Sequence, residues 1–457
     1  MNDRKTRDGI VDAVNIERKA PKRIAQAVIN SLKGGVVPRV GLPYIAVGRD
    51  KEIKALLHDE EIISEGGASF RFIVGKYGSG KSFLLQTMRN HLLDKNYVVV
   101  DADLSPERRL QGTQGQGLAT YKELIRNMST KTRPEGGALT LILDRWISSI
   151  QRDVMSEFNL SVGAPELAEK TEKKMTDIIY SLNDMVHGFD FATLLIMYYR
   201  AVTEGDDEKK AKIVKWFRGE YPTKTDARRE LGVNIIINDD DWYEYLKIFA
   251  AFMVKAGYSG LYIMVDELVN LYKLTNTVTR QNNYEKVLAM YNDCMQGKAH
   301  YLGIIMCGTP ECMQDKRRGI YSYEALRSRL DRGRFSGEFK DMLAPVIELS
   351  ILSYEEMYIL LEKLSALHSG LYGYDRVPDK DEMIFFLKTE YERIGAEKLI
   401  TPREVIRDYI EVLDIIFQEE NVDIKDLLGS GSFQFAKTEL EEKAESESND
   451  EYADFYV

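Results

Sequence analysis

Two hydrophobic spacings alternate along the chain. Short, nearly continuous apolar runs stand at Phe70-Arg71-Phe72-Ile73-Val74, Tyr97-Val98-Val99-Val100-Asp101-Ala102, Gly260-Leu261-Tyr262-Ile263-Met264-Val265, Tyr301-Leu302-Gly303-Ile304-Ile305-Met306-Cys307 and Val346-Ile347-Glu348-Leu349. Such runs predict strands buried on both faces. Between them apolar residues recur at helical spacing, as in residues 20–33, which Gly34-Gly35 stops, in 139–147 and in 191–199. Strands alternating with helices predict an α/β fold with a mostly parallel sheet covered on both sides. The stretch from about 118 to 254 is too long for one crossover connection and predicts a helical insertion. From 354 to about 428 the pattern is helical throughout. No internal repeat is present. The expected organisation is an N-terminal arm and helix over 1–46, an α/β domain over 47–345, a helical lid over 346–430 and a tail over 431–457.

The first of those strands runs into Gly75-Lys76-Tyr77-Gly78-Ser79-Gly80-Lys81-Ser82, and Phe83-Leu84-Leu85 opens a helix behind it. Strand, glycine loop and helix in this order define a P-loop. Glycines let successive backbone N–H groups curl around phosphate oxygens, and the helix N-terminus adds the positive end of its dipole. Lys81 is expected to reach the β and γ phosphates of ATP and Ser82 to ligate Mg²⁺. Gly75, Tyr77, Gly78, Ser79, Gly80 and Phe83 complete the expected nucleotide contacts.

Asp266-Glu267 closes the third strand and pairs with the P-loop as a Walker B signal. Asp266 is expected to hold Mg²⁺, and Glu267 to polarise the attacking water, because phosphoryl transfer is catalysed chiefly by alignment and charge neutralisation. Thr309 follows the fourth strand and is a candidate sensor of the γ phosphate, with capping of the next helix as its alternative. Arg327, Arg329, Arg332 and Arg334 crowd one short stretch that contains no lysine. A finger reaching the γ phosphate of a neighbouring subunit is expected there, with Arg329 as first candidate. In Thr401-Pro402-Arg403 the threonine suits a cap and the proline a first helical turn. Arg403 is expected to project from the lid toward the nucleotide, a surface ion pair being the alternative.

At 457 residues, 44% hydrophobic and 30% charged, the chain has the composition of an ordinary globular protein able to bury a large core. A net charge of -11 argues against a wholesale polyanion binder, but the first forty residues are basic. That arm is either solvated or in contact with nucleic acid or an acidic partner. Cys294, Cys307 and Cys312 form no metal-ligand or disulfide pattern, which fits a reducing cytoplasm. The five histidines are scattered singly. No apolar run reaches the length of a membrane span, and the start lacks a signal-peptide apolar region. The tail is rich in Glu, Ser and Asp and is expected to be disordered.

P-loop, Asp-Glu pair, polar sensor, arginine cluster and arginine-bearing lid together resemble the AAA+ ATPases. Gly48-Arg49-Asp50-Lys51-Glu52 resembles the Gly-Arg-x-x-Glu box of the origin-recognition and STAND branches, which implies that Gly48 and Arg49 lie against adenine. The chain is more closely similar to the ATP-binding proteins of BREX bacteriophage-exclusion systems. That likeness rests on the P-loop, Val47-Gly48-Arg49, Trp216-Phe217-Arg218-Gly219-Glu220 with Leu231-Gly232-Val233, Gly257-Tyr258-Ser259-Gly260-Leu261 and Cys307-Gly308-Thr309-Pro310-Glu311 with Arg317-Arg318-Gly319. The resemblance implies an ATPase of antiviral defence that forms homo-oligomers and uses nucleotide state to control assembly on DNA or with helicase or methyltransferase partners. A helicase loader or replication initiator of a mobile element, and a nucleotide switch with little turnover, are the alternatives. Initiators carry a winged helix after the lid, whereas only a short tail follows Leu428 here.

Overall fold

The computed structural model describes residues 20–330, 341–392, 401–419 and 422–429. The elements in chain order begin with α1 (Lys22–Lys33), α2 (Asp50–Ser64), β1 (Ala68–Val74), α3 (Lys81–Asp94) and β2 (Val98–Asp103). Seven helices follow: α4 (Gln116–Arg126), α5 (Leu139–Phe158), α6 (Pro165–Ile179), α7 (Gly188–Glu204), α8 (Asp207–Phe217), α9 (Lys224–Leu231) and α10 (Trp242–Lys255). Then come β3 (Leu261–Asp266), α11 (Val269–Tyr272), α12 (Thr277–Met295), β4 (Leu302–Gly308), α13 (Pro310–Gln314), α14 (Glu324–Leu330) and β5 (Val346–Glu348). The chain closes with α15 (Tyr354–Tyr372), α16 (Lys380–Glu392), α17 (Pro402–Gln418) and α18 (Ile424–Gly429). Arg332, Arg334, most of the basic arm and the acidic tail lie outside the described residues.

The five strands form one sheet in the order β2-β3-β4-β1-β5, and every pairing is parallel. All seven residues of β4 are buried, as are all but the first of β1, because helices cover both faces. The connection from β1 leads to β2 at one edge, and that from β4 leads past β1 to β5 at the other. Adjacent strands whose connections leave in opposite directions define a switch point, and ligands of open α/β sheets bind beyond the carboxyl ends of such strands. Thr309 follows β4 there.

By contacts the chain divides into two units. One comprises residues 54–74 and 88–348 and holds the sheet and the helical insertion. Aromatic rings dominate the insertion. Phe191 packs edge-on against Phe217, Phe249 and Phe252, while the Trp216 indole N–H donates to Ile235 O (2.8 Å) and the Tyr121 hydroxyl to Phe217 O (2.7 Å). The Trp216-Phe217 motif is therefore a core element. The other unit comprises residues up to 53, 75–87 and those from 349 onward. Its core joins Val28 and Ile29 of α1 to Leu361, Leu364, Phe386, Tyr409 and Leu413 of the C-terminal helices. The Gly-Arg box and the phosphate loop thus group with the C-terminal helices rather than with the sheet.

Candidate nucleotide site

Within the phosphate-loop unit, Gly78 and Gly80 take positive φ angles of 73° and 85°, a region that favours glycine. A Cβ on Gly78 would overlap the side chain of Thr401. Ser79 N–H donates to Lys76 O (3.1 Å) and closes the turn. Lys81 Nζ donates to the carbonyls of Gly75 (2.8 Å) and Lys76 (3.0 Å), which holds its charge across the loop, and it lies 5.4 Å from the centre of the half-exposed Tyr77 ring. Ser82 is exposed in the first turn of α3, and Phe83 packs partly buried beside the core of the C-terminal helices. The Ser79 hydroxyl is buried without a hydrogen-bond partner.

Arg49 fastens the loop from beneath. Its guanidinium, 6% exposed, donates to Ser79 O (2.8 Å), Ser350 O (2.8 Å) and Gly48 O (3.3 Å). One side chain thereby ties the Gly-Arg box, the phosphate loop and the segment that leads into the C-terminal helices. Burial pulls the Arg49 pKa below its ordinary value, opposed by the carboxylates of Glu52 and Glu356. Glu356 closes a capping box with Ser353 at the start of α15, and its carboxylate occupies the space a Cβ on Gly48 would need. Gly48 itself has φ of 69°.

At the start of α17, Thr401 and Glu404 form a capping box with Pro402 in the first turn. Thr401 is the residue of this helix start that approaches Gly78. The exposed Arg403 runs along another surface: a Cβ on Gly35 would lie 3.7 Å from its Cδ and 3.8 Å from that of Arg407. The two arginines are four residues apart and share one helix face, so both flank the turn that ends α1.

In the sheet unit, β3 ends at Asp266, half-buried, followed by the exposed Glu267. Glu267 has φ of 60° although it is not glycine, and its backbone N–H donates to Asp266 Oδ1 (2.7 Å). Left-handed backbone at a non-glycine residue costs of order 1–3 kcal/mol and is concentrated at functional positions. Asn270 helps to hold it, donating from Nδ2 to Leu104 O (2.8 Å) and Glu267 O (3.3 Å). Asp103, at the end of β2, stands in register with Asp266. The sequence reading missed this second carboxylate, although Val-Val-Val-Asp-Ala-Asp carries the same apolar-to-acidic step as β3. Thr309 is buried at the N-cap position of α13, but its side chain makes no capping bond. Arg329 is exposed on α14, where Nη1 donates to Ala325 O (2.7 Å).

Ser82 and Asp266, one in each unit, each carry a hard oxygen donor of the type Mg²⁺ takes. The three cysteines are buried as free thiols, and burial pushes Cys294 up to about 12, which makes it a poor nucleophile. Among the described residues no helix is long and apolar enough to cross a membrane, and no cluster of histidine, cysteine and carboxylate side chains could hold a metal by itself.

A parallel five-stranded α/β sheet whose first strand runs into a glycine loop and a helix is compatible with a P-loop NTPase. The chain belongs to the BREX system ATP-binding protein BrxC/D family, whose profile matches residues 20–432. It is thus an ATP-binding protein of a phage-defence family. No curated protein matches it.

Proposed function

We propose that the protein hydrolyses ATP with Mg²⁺ as an AAA+ ATPase, and that nucleotide state governs homo-oligomeric assembly on DNA or with helicase or methyltransferase partners in the cytoplasm. The observation that carries the hydrolytic reading is Glu267, held in left-handed backbone at the end of a buried strand with its N–H on Asp266. That strain re-aims a carboxylate out of the strand, which a merely solvent-facing acid does not require. In this reading Lys81 neutralises charge on the β and γ phosphates, Glu267 orients and polarises the attacking water, and Thr309 senses the γ phosphate. Ser82 and Asp266 hold Mg²⁺. When bound, the ion offsets charge on the phosphate oxygens. Arg329 acts from one subunit on the site of its neighbour, which its exposed position on α14 permits. Gly48 and Arg49 border the base, and Arg403 contributes from the lid.

Equilibrium titration and steady-state turnover of two variants test this. Lys81→Ala should weaken ATP binding at least a hundredfold, because the glycine loop alone cannot replace a charge on the phosphates. Glu267→Gln should bind ATP as the parent does and lose turnover. Equal loss of binding in both variants, or normal turnover in Glu267→Gln, refutes the assignment.

A further inference from the structure

In the sheet unit a cleft of about 660 Å³ opens between the 130–132 loop, one face of α5 and the 256–258 turn. Its lining carries the cations Lys131, Arg145 and Arg152, with no carboxylate among the described residues that line it. Arg145 and Arg152 are seven residues apart on α5, hence on one face and about 10 Å apart at 1.5 Å per residue. Ser148 and Ser149 stand between them. Arg145 donates through Nη1 to Thr132 Oγ1 (2.8 Å) and Arg152 through Nε to Ser148 O (3.2 Å). A guanidinium has five N–H donors, so these bonds orient each group while leaving most of its donors for a ligand.

Of the neighbouring acids, the exposed Asp94 pairs with Lys131 of the cleft (3.1 Å) and offsets part of its charge, which leaves Arg145 and Arg152 as the main cations there. Asp144 accepts from the Tyr198 hydroxyl (2.7 Å) and pairs with Lys210 (3.0 Å). The walls are fixed in place: Asn96 Nδ2 donates to Gly257 O (2.9 Å), Ser259 Oγ to Lys95 O (2.9 Å), and Ser129 exchanges backbone bonds with Val99.

We propose that this cleft grips the phosphodiester backbone of a nucleic acid. Arginine, lysine and serine or threonine hydroxyls are the groups that contact phosphate and sugar without reading sequence. Two guanidinium-bearing positions about 10 Å apart can each reach a different phosphate of one strand. The inference rests on the nucleic-acid arm of the proposed function and assigns it to the insertion.

The test uses the full chain with fluorescein-labelled single-stranded and duplex 20-mers, followed by anisotropy across a salt series. R145E/R152E should bind at least tenfold more weakly at 50 mM salt and show a salt slope flatter by about 1.5, since two phosphate contacts are lost. Its ATPase without DNA should match the parent. In the unaltered chain, hydrogen exchange at 129–133 and 256–258 should slow when the oligonucleotide is added, a readout that does not depend on the variant folding. Parental DNA affinity and slope in the variant, with no slowing at those amides, overturn this inference alone. No DNA binding by the parent overturns it together with the nucleic-acid arm. Equal protection by inorganic tripolyphosphate or by polyglutamate, at matched charge concentration, reassigns the cleft to a free polyphosphate or an acidic protein and likewise overturns it.

Discussion

Around the phosphate loop the chain is fastened by a few polar bonds to backbone, whereas the helical insertion is fastened by interlocking aromatic rings. In the first region Arg49 reaches the carbonyls of Ser79 and Ser350, and two capping boxes fix where α15 and α17 begin. In the second, Phe191 touches three other rings and Trp216 two. A glycine loop has almost no side-chain surface to pack, so its conformation has to be held through its carbonyls. A bundle of helices presents large apolar faces, and packing holds it at far lower cost in buried polar groups.

The contrast can be broken most strongly in the insertion. Phe191→Ala should cost about 3–5 kcal/mol of stability through a cavity among rings that cannot collapse onto it, with the ATP affinity of the folded protein unchanged. Chemical denaturation and nucleotide titration together check this, and a parallel loss of affinity would mean that the two regions are coupled. Arg49→Ala should lower stability and ATP affinity together. Leaving buried carbonyls without their donor costs about 1–3 kcal/mol each, so a stability loss of about 3 kcal/mol is expected, with at least tenfold weaker ATP binding. Arg49→Lys should recover only part of either, because a single ammonium cannot replace both Nη2, which serves the carbonyls of Ser79 and Ser350, and Nη1, which serves Gly48 O. Parental affinity in Arg49→Ala would show that the loop keeps its shape unaided. The smallest effect is expected at Ser79→Ala. Its hydroxyl is buried without a partner, so removing it should shift stability by less than about 1 kcal/mol, and thermal melting would expose any hidden bond as a larger loss.

Much of the fold was legible because its signals are local. The five strands stand where the apolar runs predicted them, and α1 ends at Gly34 as its glycine pair required. The cap at Thr401 with Pro402 behind it was equally readable, since both residues act within one turn of helix. The proximity of Arg403 to the turn at Gly35 was not readable, since it depends on α1, hundreds of residues away. For the same reason Asp103 went unnoticed: its register with Asp266 exists only once β2 and β3 pair.

By itself the sequence determined the P-loop, the Asp-Glu step at a strand end, the parallel α/β class and the likeness to a phage-defence family, since each depends on residue types at short fixed spacing. Tertiary structure decided which distant groups meet. It set Arg49 under Ser79 and Ser350, Glu356 beside Gly48, Thr401 against Gly78, and the α5 arginines over one cleft with Lys131. Those contacts join segments up to about 300 residues apart, as from Arg49 to Ser350. Hydrogen bonds and close packing act only over a few ångströms, so long-range partners are chosen by the folded chain and leave no local pattern to read.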